Sequence, residues 1–139
     1  MQDNPPLFCG SMTLELPLQN DVMRAVITHS PLGFKLDDSA GVTTQINVVN
    51  LADAQMLTIP GEALPNIGYY LKRNMHGRHN LLLGLTNDAF GYILTKVDWN
   101  SFERYTYITR TSLGEQTGEI LIQKSLAFID TCPRPTAAK

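Results

Sequence analysis

The spacing of apolar residues changes at Pro60-Gly61, and a chain that changes period in this way must combine strands with helices. Before it, Thr43 to Leu51 carries Ile46, Val48 and Val49, residues that suit a pleated surface, and Gln55 to Ile59 forms a second apolar run. Pro60 holds Ile59 extended and cannot continue a ladder, so that strand ends there. Beyond Gly61, residues Leu64, Ile67, Leu71 and Met75 recur at spacings of three and four, the signature of one helix face. Pro65 is tolerated near the start of such a helix, and Gly77 is a terminator. Glu62 is therefore expected at a strand-to-helix junction.

Further elements follow the same logic. Met12 to Leu18 alternates like a half-buried strand, with Pro17 placing it at an edge or a strand end. Asn20-Asp21 favours a turn, so Val22 to His29 reads as the second strand of a hairpin, and Ser30 to Gly41 as a turn-rich connection. His79 to Thr86 contains Leu81-Leu82-Leu83-Gly84-Leu85, a continuous apolar run that predicts burial on both faces. Phe90 to Thr95 and Tyr105 to Arg110 read as strands, and Asp98 as the cap of a single helical turn. Ser112 and Glu115 have the spacing of a capping box before a helix reaching about Ile129, with Ile122, Leu126 and Ile129 on one face. The expected fold class is α/β: a mixed sheet of about six short strands with two main helices over residues 12–130, a flexible lead-in at 1–11 and a tail at 131–139.

At 139 residues the chain fits one domain. Charged residues are 17% of the chain, the net charge is −2, and Lys and Arg do not cluster, which argues against nucleic acid or an acidic membrane as an electrostatic partner. No window is apolar enough to span a bilayer, and no signal peptide is expected at the start; the compartment is left open. Cys9 and Cys132 are read as free thiols, a single long-range disulfide being the alternative. The low charge fraction predicts apolar surface that is either covered by a partner copy or left exposed as a patch.

Two segments carry candidate chemistry. In Ile59-Pro60-Gly61-Glu62, the sharp turn at Gly61 presents Glu62 near a helix start, where an ionised carboxylate is favoured; it either ligates a metal or merely complements the helix dipole. In Gly84-Leu85-Thr86-Asn87-Asp88-Ala89-Phe90-Gly91-Tyr92, an apolar strand opens into polar residues. Gly91 permits close backbone approach, and the Tyr92 phenol can stabilise an oxyanion or bind a metal, or simply pack by its ring. His76-Gly77-Arg78-His79 has metal-like spacing interrupted by a helix terminator, and His29 has no neighbouring partner in sequence. No zinc Cys-His spacing, phosphate loop or Gly-x-Ser-x-Gly elbow is present.

Together these segments resemble the neutral/alkaline, non-lysosomal ceramidase family. The resemblance runs from about Leu57 to Ile129, roughly half the chain, through Ile59-Pro60-Gly61-Glu62, Gly68, Leu83-Gly84-Leu85-Thr86-Asn87 and Gly91-Tyr92-Ile93-Leu94-Thr95. It implies the C-terminal portion of a larger layered α/β catalytic domain that hydrolyses the amide of ceramide or a related lipid with zinc. Glu62 and Tyr92 would be metal ligands, Tyr92 also catalytic, and Gly61, Asn87 and Gly91 would support them. None of His29, His76 and His79 matches the family's zinc-binding histidine motifs, and Tyr69-Tyr70 stands where the family has paired arginines. The implied partners are a lipid amide, the remainder of the catalytic domain and a second copy; the isolated chain is expected to be inactive. A non-catalytic α/β binding module on the same scaffold is the alternative.

Overall fold

A computed structural model describes residues 5–31, 33, 36 and 41–137. The sheet grows from the Ala52-Asp53 turn outward: β2 (Val42–Leu51) and β3 (Ala54–Thr58) pair antiparallel as a tight hairpin, with Ala52 in the left-handed region. β1 (Leu7–Leu16) lies antiparallel along the full length of β2, Leu7 opposite Leu51 and Leu16 opposite Val42. After β3 the chain forms a two-residue strand, β4 (Glu62–Ala63), and the helix α2 (Pro65–Asn74), then returns as β5 (His79–Leu83), parallel to β3. The strand order is therefore β1-β2-β3-β5. A second, two-stranded sheet joins β4 to β6 (Tyr92–Ile93). The other helices are α1 (Asp21–Thr28), a 3-10 turn at Glu103–Tyr105, α3 (Thr106–Arg110) and α4 (Thr117–Thr131).

Period two decides which face of the sheet is buried. Leu14 and Leu16 of β1, and Val42, Ile46 and Val48 of β2, form the core with Leu57. Against them pack Ile67 and Leu71 of α2 and Leu121 and Ile129 of α4, spaced by whole turns. Two buried polar side chains, Asn50 and Gln55, are linked by a run of hydrogen bonds. The Gln55 amide donates to Asn50 Oδ1 at 2.9 Å and accepts from the His76 backbone N–H at 3.0 Å, while the Asn50 amide donates to Pro133 O at 2.7 Å. This chain of bonds ties the segment after α4, where Cys132 is also buried, to the middle of the sheet. The tail is thus anchored at its start. Cys9 and Cys132 are both free, and burial pushes the Cys132 thiol up.

The α/β class holds: among the described residues six strands are divided between two sheets, and the two main helices, α2 and α4, are accompanied by the shorter α1 and α3. Several elements differ from the sequence reading. β1 starts at Leu7, inside the expected lead-in, because its whole length has β2 to pair with. Val22 to His29 is helical rather than a strand: Asn20 Oδ1 accepts from the Val22 and Met23 N–H groups as an N-cap, and Met23 and Ile27, four apart, reach the core. Tyr105 to Arg110 is likewise a 3-10 turn running into α3. α2 ends before Gly77, at Met75 in an extended conformation. The Ser112 to Glu115 capping box does not form; among the described residues Ser112 Oγ is buried without a partner, and α4 starts at Thr117. Asp98 does not cap a helix either, since its carboxylate accepts from Thr95 Oγ1 and the Asn66 amide, both at 2.7 Å. The largest difference is β5. It ends the order of its sheet instead of lying within it, so Leu81 and Leu83 are 46% and 43% exposed, and only Leu82 turns inward. Most of the expected Ser30 to Gly41 connection, including Asp37 and Asp38, lies outside the described residues.

The Asn20 side chain also donates to Thr109 O at 3.0 Å, fastening α1 to α3. Asn20→Ala is expected to lower unfolding free energy by about 1–2 kcal/mol, the loss of a cap and of one hydrogen bond. Asn20→Asp keeps the cap acceptor but not the donor, so denaturant titration should place it between the two.

Candidate functional site

The β4–β6 pairing sets Glu62 directly opposite Tyr92, although thirty residues separate them in sequence. Two glycines make this pairing possible. Gly91 has φ +77°, and a Cβ there would stand 1.9 Å from Thr111 O. A Cβ on Gly61 would stand 2.6 Å from Gly91 O. The backbones instead meet by hydrogen bonds: Glu62 N–H donates to Gly91 O at 2.8 Å, Leu64 N–H to Ile93 O at 3.0 Å, and Tyr92 N–H to Thr111 O at 3.0 Å. Both positions thus have a steric reason to lack a side chain.

Glu62 is exposed and sits in β4, three residues before α2 rather than in its first turn; the N-cap is Leu64, which makes no side-chain cap bond. Its negative charge acts on Tyr92. The Tyr92 phenol is raised above its ordinary value, first by the Glu62 charge, then by burial, by Tyr107, and by its hydrogen bond to Glu62. Tyr92 is therefore protonated at neutral pH, with its O–H donating to the Glu62 carboxylate. Tyr107, on α3, packs edge-on against it with ring centroids 6.0 Å apart.

Glu62 also lines a cleft of about 520 Å³ between α2 and the ends of β3 and β5, with Ile59, Leu64, Gly68, Tyr69, Lys72 and Leu85. The Lys72 ammonium lies 5.4 Å from the Tyr69 ring centroid. A larger hollow of about 690 Å³ opens on another side of α2, lined by Ile67, Tyr70, Ile122 and Leu126. That hollow is mostly apolar, and its one carboxylate, Glu119, accepts from the Lys96 backbone N–H at 2.8 Å. Of the two, the smaller cleft is the one lined by Glu62, and it lies at the C-terminal ends of the parallel strands β3 and β5.

The remaining sequence candidates do not join the pair. Asn87 (φ +72°) donates its amide to Gln45 O at 2.8 Å, pinning the loop after β5 to β2. His76 Nε2 lies 3.1 Å from Asp130 Oδ1, and His29 Nδ1 lies 2.8 Å from Ala25 O on its own helix. His79 opens β5, at the end opposite Leu83 and the cleft. Among the described residues no group of three or more His, Cys, Asp or Glu is placed to hold a metal ion. Glu62 and Tyr92 offer two donors of suitable chemistry, short of the three protein ligands zinc normally takes, so these residues alone do not fit the metal. Tyr69, singled out in the sequence only as standing in place of an arginine, lines the cleft with Lys72, while Tyr107 joins from α3. Tyr107 was hidden by the strand-like alternation of Tyr105 to Arg110, whereas Tyr69 and Lys72 could have been found from the face of α2 next to Gly68.

Two solved structures share this fold. A neutral ceramidase from Pseudomonas aeruginosa matches with a TM-score of 0.52 and 18% identity, over 70% of this chain and 17% of that one. A ceramidase complexed with C2 matches with a TM-score of 0.54 and 20% identity, over the same shares of each chain. The chain thus has the fold of a small portion of a neutral ceramidase, spanning about 17% of the length of these structures. No family model matches the sequence, and no curated protein matches it.

Gly91→Ala is expected to destabilise the protein by at least about 1–3 kcal/mol, the strain of a left-handed residue, before the contact with Thr111 O is added. Denaturant unfolding measures it. In a ring-resolved NMR titration Tyr92 should deprotonate above the ordinary value of about 10, and Glu62→Gln should move it back towards that value. The raised folded value means that the stabilisation linked to this phenol is complete below the unfolded value near 10. It is lost as pH climbs through the folded one, so neutral pH leaves it intact.

Proposed function

We propose that this chain is the C-terminal portion of a ceramidase-like catalytic domain and contributes Glu62 and Tyr92 to a zinc-dependent amidase site. The substrate is the N-acyl amide of ceramide or a related lipid amide. One observation carries the reading: two motifs thirty residues apart deliver a carboxylate and a protonated phenol to opposing positions of one strand pair. The fold shared with neutral ceramidases supports it. Zinc, when bound, would polarise the amide carbonyl and lower the pKa of a water. The contribution of this chain's own residues is narrower. Glu62 supplies a fixed anionic oxygen donor, and Tyr92 supplies an O–H donor for the oxygen that gains charge when the amide carbon becomes tetrahedral. The missing ligands come from the remainder of the domain, which makes the isolated chain inactive.

In a longer protein that contains this chain, ceramide hydrolysis should require zinc. Glu62→Gln should lower both zinc content and rate by about a thousandfold or more in rate, and Tyr92→Phe should lower the rate by about a hundredfold, the scale of one lost oxyanion donor. The isolated chain should neither hydrolyse ceramide nor retain zinc through dialysis. Unchanged zinc content and rate in both variants would leave the non-catalytic binding module as the reading.

A further inference from the structure

The cleft beside Glu62 has features that packing alone does not explain. Pro65, Gly68, Tyr69 and Lys72 line it at helical spacing, so one face of α2 forms a wall, and the Asn80 amide ties that wall to β5 by donating to Lys72 O at 2.9 Å. Within the wall, Gly68 has no steric reason to be glycine. Outside its own helix the nearest atom that a Cβ there would meet among the described residues is Leu82 Cδ1 at 3.6 Å, an ordinary contact, whereas glycine inside a helix is less stable than alanine. The missing side chain leaves its space to the cleft. At the rim Leu85 keeps φ +53°, a costly backbone for a residue with a side chain, held by its N–H donating to Gly61 O at 3.1 Å. That backbone leaves the leucine 57% exposed at the opening instead of in the core. Glu62 and Lys72 are the charged side chains of the lining, and they do not pair with each other: the ion pairs among the described residues are His76–Asp130 and Arg78–Asp53.

We infer that this cleft selects an amide that carries a carboxylate on an alkyl arm, and that Lys72 is the residue that determines this specificity. The arm lies along the gap at Gly68, between the apolar side chains of Ile59, Leu64, Leu82 and Leu85, and its carboxylate meets the Lys72 ammonium. From Pro65 to Lys72 the helix axis rises about 10 Å, which sets the scale of the arm between an amide reacting near Glu62 and its acid end. Tyr69 holds the ammonium in place, 5.4 Å from its ring centroid. A carboxylate satisfies that ammonium more fully than the ring does, because it accepts charge-assisted hydrogen bonds. Glu62 repels the same carboxylate at the other end of α2, so the charges of the lining also fix which way round the substrate lies. The inference rests on the function proposed above, and that function decides what occupies the cleft. Glu62 belongs to the lining, and a site that acts at Glu62 has to keep this cleft open to substrate, not fill it with the remainder of the domain.

Binding is tested in the chain itself, without any reaction. Octanoate should shift the NMR signals of the Tyr69 ring and the Gly68 amide, Lys72→Met should weaken its binding by about tenfold or more, the scale of one hydrogen bond to a charged group, and Lys72→Arg should restore it. Octanol should bind Lys72→Met as it binds the unmutated chain. Octanoate that leaves these signals unmoved, or that binds Lys72→Met equally well, overturns the proposal. In the longer protein an N-acyl aminohexanoate is compared with its N-acyl hexylamine counterpart, which lacks the carboxylate. Lys72→Met should lower kcat/KM for the acid about tenfold relative to the neutral amide, and Gly68→Leu, with circular dichroism unchanged, should raise KM for both. An unchanged ratio in Lys72→Met overturns the inference and leaves the amidase reading intact. An unchanged KM in Gly68→Leu also overturns it, because the remainder of the domain then fills the cleft. Octanoate binding that depends on Lys72, in a protein that hydrolyses neither amide, sinks the proposed function and with it the role in substrate choice, while the carboxylate site at Lys72 stands.

Discussion

Everything at the candidate site depends on two backbones coming close enough to bond where side chains would keep them apart. Gly61 and Gly91 allow this: the N–H of Glu62 reaches Gly91 O, and the next residues align as β4 and β6. A strand pair of two residues has little hydrogen bonding of its own. It persists because Ile59 and Pro60 before it, and Phe90 and Ile93 around it, are buried, and because Thr111 O receives the Tyr92 N–H from the other side. The pair is thus clamped between the main sheet and α3. That clamp gives an exposed carboxylate and a phenol a fixed relation, the requirement for any concerted role.

The sequence makes this site legible because glycine and proline act locally. Pro60 ends β3 where expected, Gly61 and Gly91 occupy the close approach that their small size allows, and the α2 face built on Ile67 and Leu71 is the one observed. The failures have a common physical origin. Val22 to His29 and Tyr105 to Arg110 are short, and over two turns a β-branched or aromatic helix has the same composition as a strand. Asn20 tips the first towards helix because its carbonyl finds two free N–H groups and its amide finds Thr109 O, a partner that no local pattern reveals. The Ser112 to Glu115 spacing misleads for the opposite reason: Leu113 O already accepts from the Gln19 and Asn20 N–H groups, and this long-range contact holds the segment out of the helix.

The run Leu81-Leu82-Leu83 shows how a correct pattern can give an incomplete fold. Its composition is that of an interior strand, yet the strand order ends there. The low charge fraction of the chain is consistent with that placement, since the open side of β5 and the Val97 to Tyr107 segment keep apolar side chains where a free-standing small domain would carry charge. A fold that matches only a small share of each solved ceramidase has the same character.

The position of β5 also sets an order of assembly. The β2–β3 hairpin needs only two residues of loop and forms early, whereas β5 can join β3 only after α2 has been wound and laid across the sheet. During that interval three consecutive leucines sit in an uncharged strand without proline or lysine to deter other chains. Docking on β3 satisfies one side of the strand and leaves the other open. A strand of this composition, open while α2 closes, is the place in this fold where another chain could pair during synthesis.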